Sequence, residues 1–71
     1  MKYERIRNLR EDNDLTQIKL AGELYISPRT YARYEHGDRN IPPEVLIEIS
    51  NYYGVSIDYL LGCTDNPVRN L

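Results

Sequence analysis

Arg29 and Arg33 stand four residues apart in the run SPRTYARYEHG, residues 27–37, with Thr30 between them. On a helix that spacing puts both guanidinium groups on one face. A guanidinium can donate to both acceptors of a guanine edge, and a threonine can meet a thymine methyl group or a phosphate. Taken alone, the pair is better read as two solvated charges on an ordinary exposed helix. The elements around it change that reading.

Ser27-Pro28 opens a helix. Serine accepts from the free N–H groups of a first turn, and proline at the first helical position loses no hydrogen bond. Tyr31 and Tyr34, three apart, form its apolar side, and Gly37 falls where a left-handed C-terminal cap belongs. Just upstream, Leu20, Ala21 and Leu24 have the spacing of a second, half-buried helix, which Thr16 caps. Lys19 stands where a capping box would need a glutamate, so that box does not form. Ala21 is small where the two helices cross. Two short helices joined by an abrupt turn describe a helix-turn-helix, whose second helix enters the major groove of DNA. Its first residues and outward side, Pro28, Arg29, Thr30 and Arg33, then face the bases. The start of the preceding helix, at Thr16 and Gln17, offers free N–H groups and a favourable dipole to a phosphate.

The run TQIKLAGELYISPRTYARYEHG, residues 16–37, resembles the core of the Cro/C1-type (XRE-like) helix-turn-helix regulators, which include phage repressors. RIRNLRE at residues 5–11 resembles the first helix of that family, and GVSIDYLLG at residues 54–62 its closing helix. The resemblance covers roughly residues 3–62 and implies an all-α, five-helix, lambda-repressor-like fold. It makes Arg29 and Arg33 base readers and puts Gln17 on the sugar-phosphate backbone, along with Thr16 and Ser27. The loop residues His36, Arg39 and Asn40 become a second phosphate-contacting segment, weakened by Asp38 where the family often carries a basic residue. Arg10 and Glu35 are implied to pair and to fix the angle of the reading helix. In phage-repressor relatives the segment matching Val55, Ile57 and Tyr59 lies at a subunit contact. One position departs from the pattern: Tyr25 stands where the family's turn usually has glycine, and tyrosine is disfavoured at positive φ.

Length and composition bound the alternatives. A chain of 71 residues predicts one domain and one modest core, without a separate sensing domain. Hydrophobic residues at 41% and charged ones at 28% fit a globular domain rather than a disordered tail. No apolar run is long enough to span a membrane and no secretory leader opens the chain, which predicts a cytoplasmic protein. Cys63 and His36 are the only residues of their types, so neither a disulfide, a zinc site nor another cofactor is expected. No nucleophile elbow or phosphate-binding glycine loop points to an enzyme. Residues 1–40 carry eight Lys/Arg against seven Asp/Glu, whereas Arg69 faces four acids in residues 41–71. The net charge of −2 therefore leaves the basic groups beside the helix-turn-helix, where local charge matters more than the total. The seven tyrosines could suggest stacking on single strands, but Tyr31, Tyr34 and Tyr53 have the spacing of core residues. A protein-binding module of the same fold, such as an antitoxin paired with a toxin, is the main competitor. An apolar or acidic outward face would favour it; two arginines and a threonine favour DNA.

In chain order, the patterns predict helices over residues 2–12, 17–24 and 28–36, a fourth from Pro42-Pro43 to Tyr53, and a short fifth capped by Ser56. Ile6, Leu9, Leu46 and Ile49 are expected inward, Leu60 and Leu61 with them as Ile57 adds to the apolar faces of the fifth helix, and residues 64–71 form a loose tail after a domain of residues 1–63. A single reading helix reaches only about three or four base edges, so a homodimer on a near-palindromic operator is expected. Val55, Ile57 and Tyr59 alternate, so a helix cannot turn all three into its own core.

Overall fold

Capping residues set the main boundaries in the computed structural model, which describes residues 3–69. The helices are α1 (Glu4–Asp12), α2 (Gln17–Glu23), α3 (Pro28–His36), α4 (Pro43–Tyr53) and α5 (Ile57–Leu60), with no strand among the described residues. This is the five-helix, all-α class expected from the sequence. Thr16 Oγ1 accepts from Lys19 N–H at 3.0 Å, Ser27 Oγ from Thr30 N–H at 3.1 Å, and Ser56 Oγ from Tyr59 N–H at 3.0 Å. Each cap relieves one of the donors that a helix start leaves unpaired. Gly37 ends α3 in the left-handed region at φ 82°, where Asp38 N–H reaches back to the Arg33 carbonyl at 3.0 Å. Helix α1 begins at Glu4, and the expected start at Lys2 lies outside the described residues.

Tyr31, Ile6, Leu20, Ile49 and Leu60 are almost fully buried and draw all five helices, with α2 and α3 packed on each other, around one core. Ala21 is fully buried, consistent with a close crossing of α2 and α3. Two core residues, Ile41 and Val55, come from connections that carry no periodic signal. The Ile41 N–H donates to the Tyr3 hydroxyl at 3.3 Å, which ties the α3–α4 loop to the start of the chain. Leu61, expected inward, is 43% exposed, because α5 ends at Leu60 after a single turn and the chain then leaves the core. Ile57 is half-buried and lies outside the core cluster.

Residues 64–69 carry no helix but meet the body at several points. Arg5 donates from Nη1 to the Tyr59 and Thr64 carbonyls, both at 3.2 Å, and from Nη2 to Asp65 Oδ1 at 3.1 Å. Its guanidinium also lies 4.2 Å from the centre of the Tyr59 ring, a cation–π arrangement. The Ser56 N–H donates to the Pro67 carbonyl at 3.0 Å, and Arg69 to Asn51 at 2.7 Å.

Candidate nucleic-acid interface

Helix α3 divides cleanly into an inner and an outer side. Tyr31, Tyr34 and Glu35 are buried, whereas Arg29, Arg33 and His36 are exposed. Neither the Arg29 nor the Arg33 guanidinium forms an ion pair or hydrogen bond among the described residues, so their donors face solvent. Pro28 is exposed in the first turn and contributes no N–H. Thr30 is half-buried, and its Oγ1 accepts from Ser27 Oγ at 2.8 Å. Ser27 thus uses its oxygen to cap α3 and its hydroxyl hydrogen to hold Thr30.

The inner side of α3 is fixed by a polar network. Arg10 reaches from α1 and grips Glu35 with two parallel bonds, Nε to Oε2 and Nη2 to Oε1, both at 2.9 Å. Such a fork-to-fork pair sets orientation as well as distance. The third nitrogen of Arg10 donates to the Leu15 carbonyl at 2.7 Å, and Gln17 Nε2 donates to Glu35 Oε1 at 3.3 Å. One carboxylate therefore holds α1, the start of α2 and α3 in register. Burial acts to raise the Glu35 carboxyl, but Arg10, with help from Tyr31 and Gln17, outweighs it and holds the group below its ordinary value. Arg10 is in turn raised, chiefly by its bonds to Glu35. The Tyr31 hydroxyl, buried beside this carboxylate without a well-formed hydrogen bond, is pushed far up, first by burial and then by Glu35.

The remaining positions implied by the sequence fall into separate groups. Thr16 is exposed at the start of α2, while Gln17 is half-buried because its amide turns toward Glu35. His36, Arg39 and Asn40 are exposed at the end of α3 and in the loop after it, with Asp38 exposed among them. Val55, expected at a subunit contact, is 8% exposed and belongs to this domain's own core, since it packs where α4 turns into α5. Ile57 and Tyr59 are half-buried, and Tyr59 carries Arg5 on its ring. The sequence reading missed Arg5 and the Leu15 carbonyl as anchoring groups. The Arg5 partners lie more than fifty residues away, beyond the reach of any local pattern. Among the described residues no cluster of His, Cys, Asp or Glu could hold a metal ion, and no helix is long and apolar enough to cross a membrane.

This arrangement defines a helix-turn-helix domain with an exposed arginine face. A family model described as Helix-turn-helix matches residues 6–60, and the chain belongs to that family, the Cro/C1-type. It is 37% identical over 67 residues to the uncharacterized HTH-type transcriptional regulator YobD of Bacillus subtilis (strain 168), covering 94% of this chain and 60% of that protein. It is 30% identical over 68 residues to the cryptic phage CTXphi transcriptional repressor RstR of Vibrio cholerae, covering 96% and 61%. A crystal structure of a transcriptional regulator from Listeria innocua superposes with a TM-score of 0.80 at 28% identity, over all of this chain and 63% of that one. The chain thus spans about 60% of the length of these relatives.

Proposed function

We propose that this chain binds double-stranded DNA sequence-specifically as a transcriptional regulator, with α3 in the major groove, and that it acts as a repressor. The observation that carries the reading is the pair Arg29 and Arg33, exposed and unpaired on a helix whose opposite side is locked by Glu35. Rigid backing matters because a base contact depends on donors held in place before binding. Arg29 and Arg33 read guanine, while Pro28 and Thr30 line the first turn against the bases. The Thr16 hydroxyl and the backbone N–H groups of Gln17 and Ser27 on one side, and His36, Arg39 and Asn40 on the other, meet the sugar-phosphate backbone. The assignment as a repressor draws on the likeness to RstR. Such a protein works where the DNA is, in the cytoplasm. Selection from a pool of random duplexes tests the reading: a near-palindromic site should be enriched, with half-sites about one helical turn apart.

Two copies are needed for that site, and α5 supplies the surface that joins them. Half-buried Ile57 at the start of α5 and Leu61, 43% exposed just past its end, lie one turn apart, with half-buried Tyr59 beside them under Arg5. Val55 takes no part, because the core has already used it. Leu61→Lys should leave the circular dichroism spectrum and melting temperature unchanged, since the side chain is outside the core. Cooperative occupation of a two-half-site duplex should disappear, while binding to a single half-site persists. Unchanged cooperativity would place the interface elsewhere.

A further inference from the structure

Tyr25 occupies the turn between α2 and α3 in a conformation that suits glycine. Its φ is 58°, in the left-handed region that bulky L residues seldom enter. The backbone on both sides is held there: Tyr25 N–H donates to the Gly22 carbonyl at 3.2 Å and Ile26 N–H to the Ala21 carbonyl at 3.0 Å. Ile26 packs against the core, so the turn cannot relax without withdrawing that side chain. The Tyr25 ring gains nothing from the domain in return. It is 96% exposed and has no ring contact or hydrogen bond from its hydroxyl among the described residues. A residue that strains the backbone and leaves an aromatic ring in water is a candidate for work outside the fold.

We propose that the Tyr25 hydroxyl donates a hydrogen bond to a DNA phosphate bordering the groove that α3 enters. The proposal rests on the DNA-binding reading above and extends it to a residue outside the reading helix. Tyr25 lies four residues ahead of Arg29, at the end of α3 that leads into the groove. Several neutral donors at that end are absent or already engaged. Pro28 has no N–H, the Ser27 hydroxyl donates to Thr30 Oγ1 at 2.8 Å, and the Thr30 N–H is taken by the Ser27 cap. Phosphate oxygens accept most protein–DNA hydrogen bonds, and they fix register without reading sequence. A tyrosine suits this task, since two side-chain torsions place its hydroxyl at the end of a rigid ring.

The test compares Tyr25→Gly and Tyr25→Phe with the unmodified chain on the selected duplex and on a scrambled one. Tyr25→Gly should raise the melting temperature, because glycine accepts positive φ, while lowering affinity for both duplexes about fivefold. Tyr25→Phe keeps the strain and the ring, so its melting temperature should match the original while its affinity falls as in the glycine variant. The salt dependence should keep its slope in both variants, because a neutral donor displaces no counterion. Full affinity in either variant overturns the proposal. A loss confined to Tyr25→Gly also overturns it, because the ring and not the hydroxyl would then be the contact. If the unmodified chain prefers neither duplex and binds both weakly, the DNA-binding reading fails first. If it binds tightly and only the Tyr25 variants are silent, that reading stands and this one falls.

Discussion

Arg10→Ala should cost about 3 kcal/mol of folding stability at pH 7, by analogy with buried ion pairs that lose one member. For a domain of this size, that corresponds to a melting temperature lower by roughly 12 °C or more. The loss is large because Glu35 is only 3% exposed and would keep its charge with only Gln17, at 3.3 Å, and the nearby Tyr31 hydroxyl to offset it. Glu35→Ala should cost less, because the Arg10 side chain is 14% exposed and can turn toward water. The double variant should be more stable than the two single losses together imply, since it removes the charge and its partner at once. Strictly additive losses in that cycle would mean that the pair contributes no coupling. Both single variants should also weaken DNA binding although neither side chain meets DNA, because α3 would lose its angular support.

The pH dependence of the same variants has a definite sign. In the unmodified chain the Glu35 carboxyl is held below its ordinary value of 4.5. Its contribution is therefore fully present above that value and is lost as pH falls through the lower, folded one. In Arg10→Ala, burial acts with little opposition and raises the carboxyl above its unfolded value. Protonation then relieves the variant, so its deficit should be largest near neutrality and shrink below about pH 5. Thermal melts of both proteins from pH 3.5 to 8 measure this directly. A deficit that stays constant over that range would show that Glu35 is not the group left stranded.

The second large effect is expected on DNA. Arg29→Ala should cost about 1–3 kcal/mol on the selected duplex and relax the preference at one position of each half-site. Arg39→Ala should instead weaken selected and scrambled duplexes alike and reduce the salt slope by about one. The two arginines are both exposed, so exposure alone does not distinguish them; their elements do. Arg29 is fixed in the first turn of α3, whereas Arg39 belongs to the loop beyond Gly37. Titrations of both duplexes at several salt concentrations separate the roles. Equal losses on the two duplexes for Arg29→Ala would remove it from base reading.

Local chemistry made the fold readable where it acts over a few residues. Helix α3 runs from Pro28 to His36 as the sequence implied, because serine-proline at one end and glycine at the other leave few alternatives. The caps Thr16 and Ser56 were visible for the same reason. Ile41 and Val55 were not assigned to the core, because burial in a connection is decided by what packs over it and leaves no periodic mark. The apolar run of α5 points Leu61 inward, but the helix stops one residue earlier and leaves that side chain at the surface. The exposed positions of Arg29 and Arg33 followed from helical spacing. Spacing could not show that Gln17 bends away from the surface toward Glu35, eighteen residues on, or that Arg5 clamps the chain after α5. Tyr25 was marked by the sequence as a departure, and its left-handed backbone follows from the turn geometry that its neighbours impose.

Methylation interference on the selected duplex tests most directly whether α3 reads bases in the major groove. Methyl groups at guanine N7 project into that groove and block an arginine from its acceptor pair, whereas adenine N3 lies in the minor groove. Interference should fall on guanine N7 positions in both half-sites, about one helical turn apart, and Arg29→Ala should erase it at one guanine of each half-site. Binding that tolerates methylation at every guanine N7, or that is blocked only at adenine N3, would contradict it.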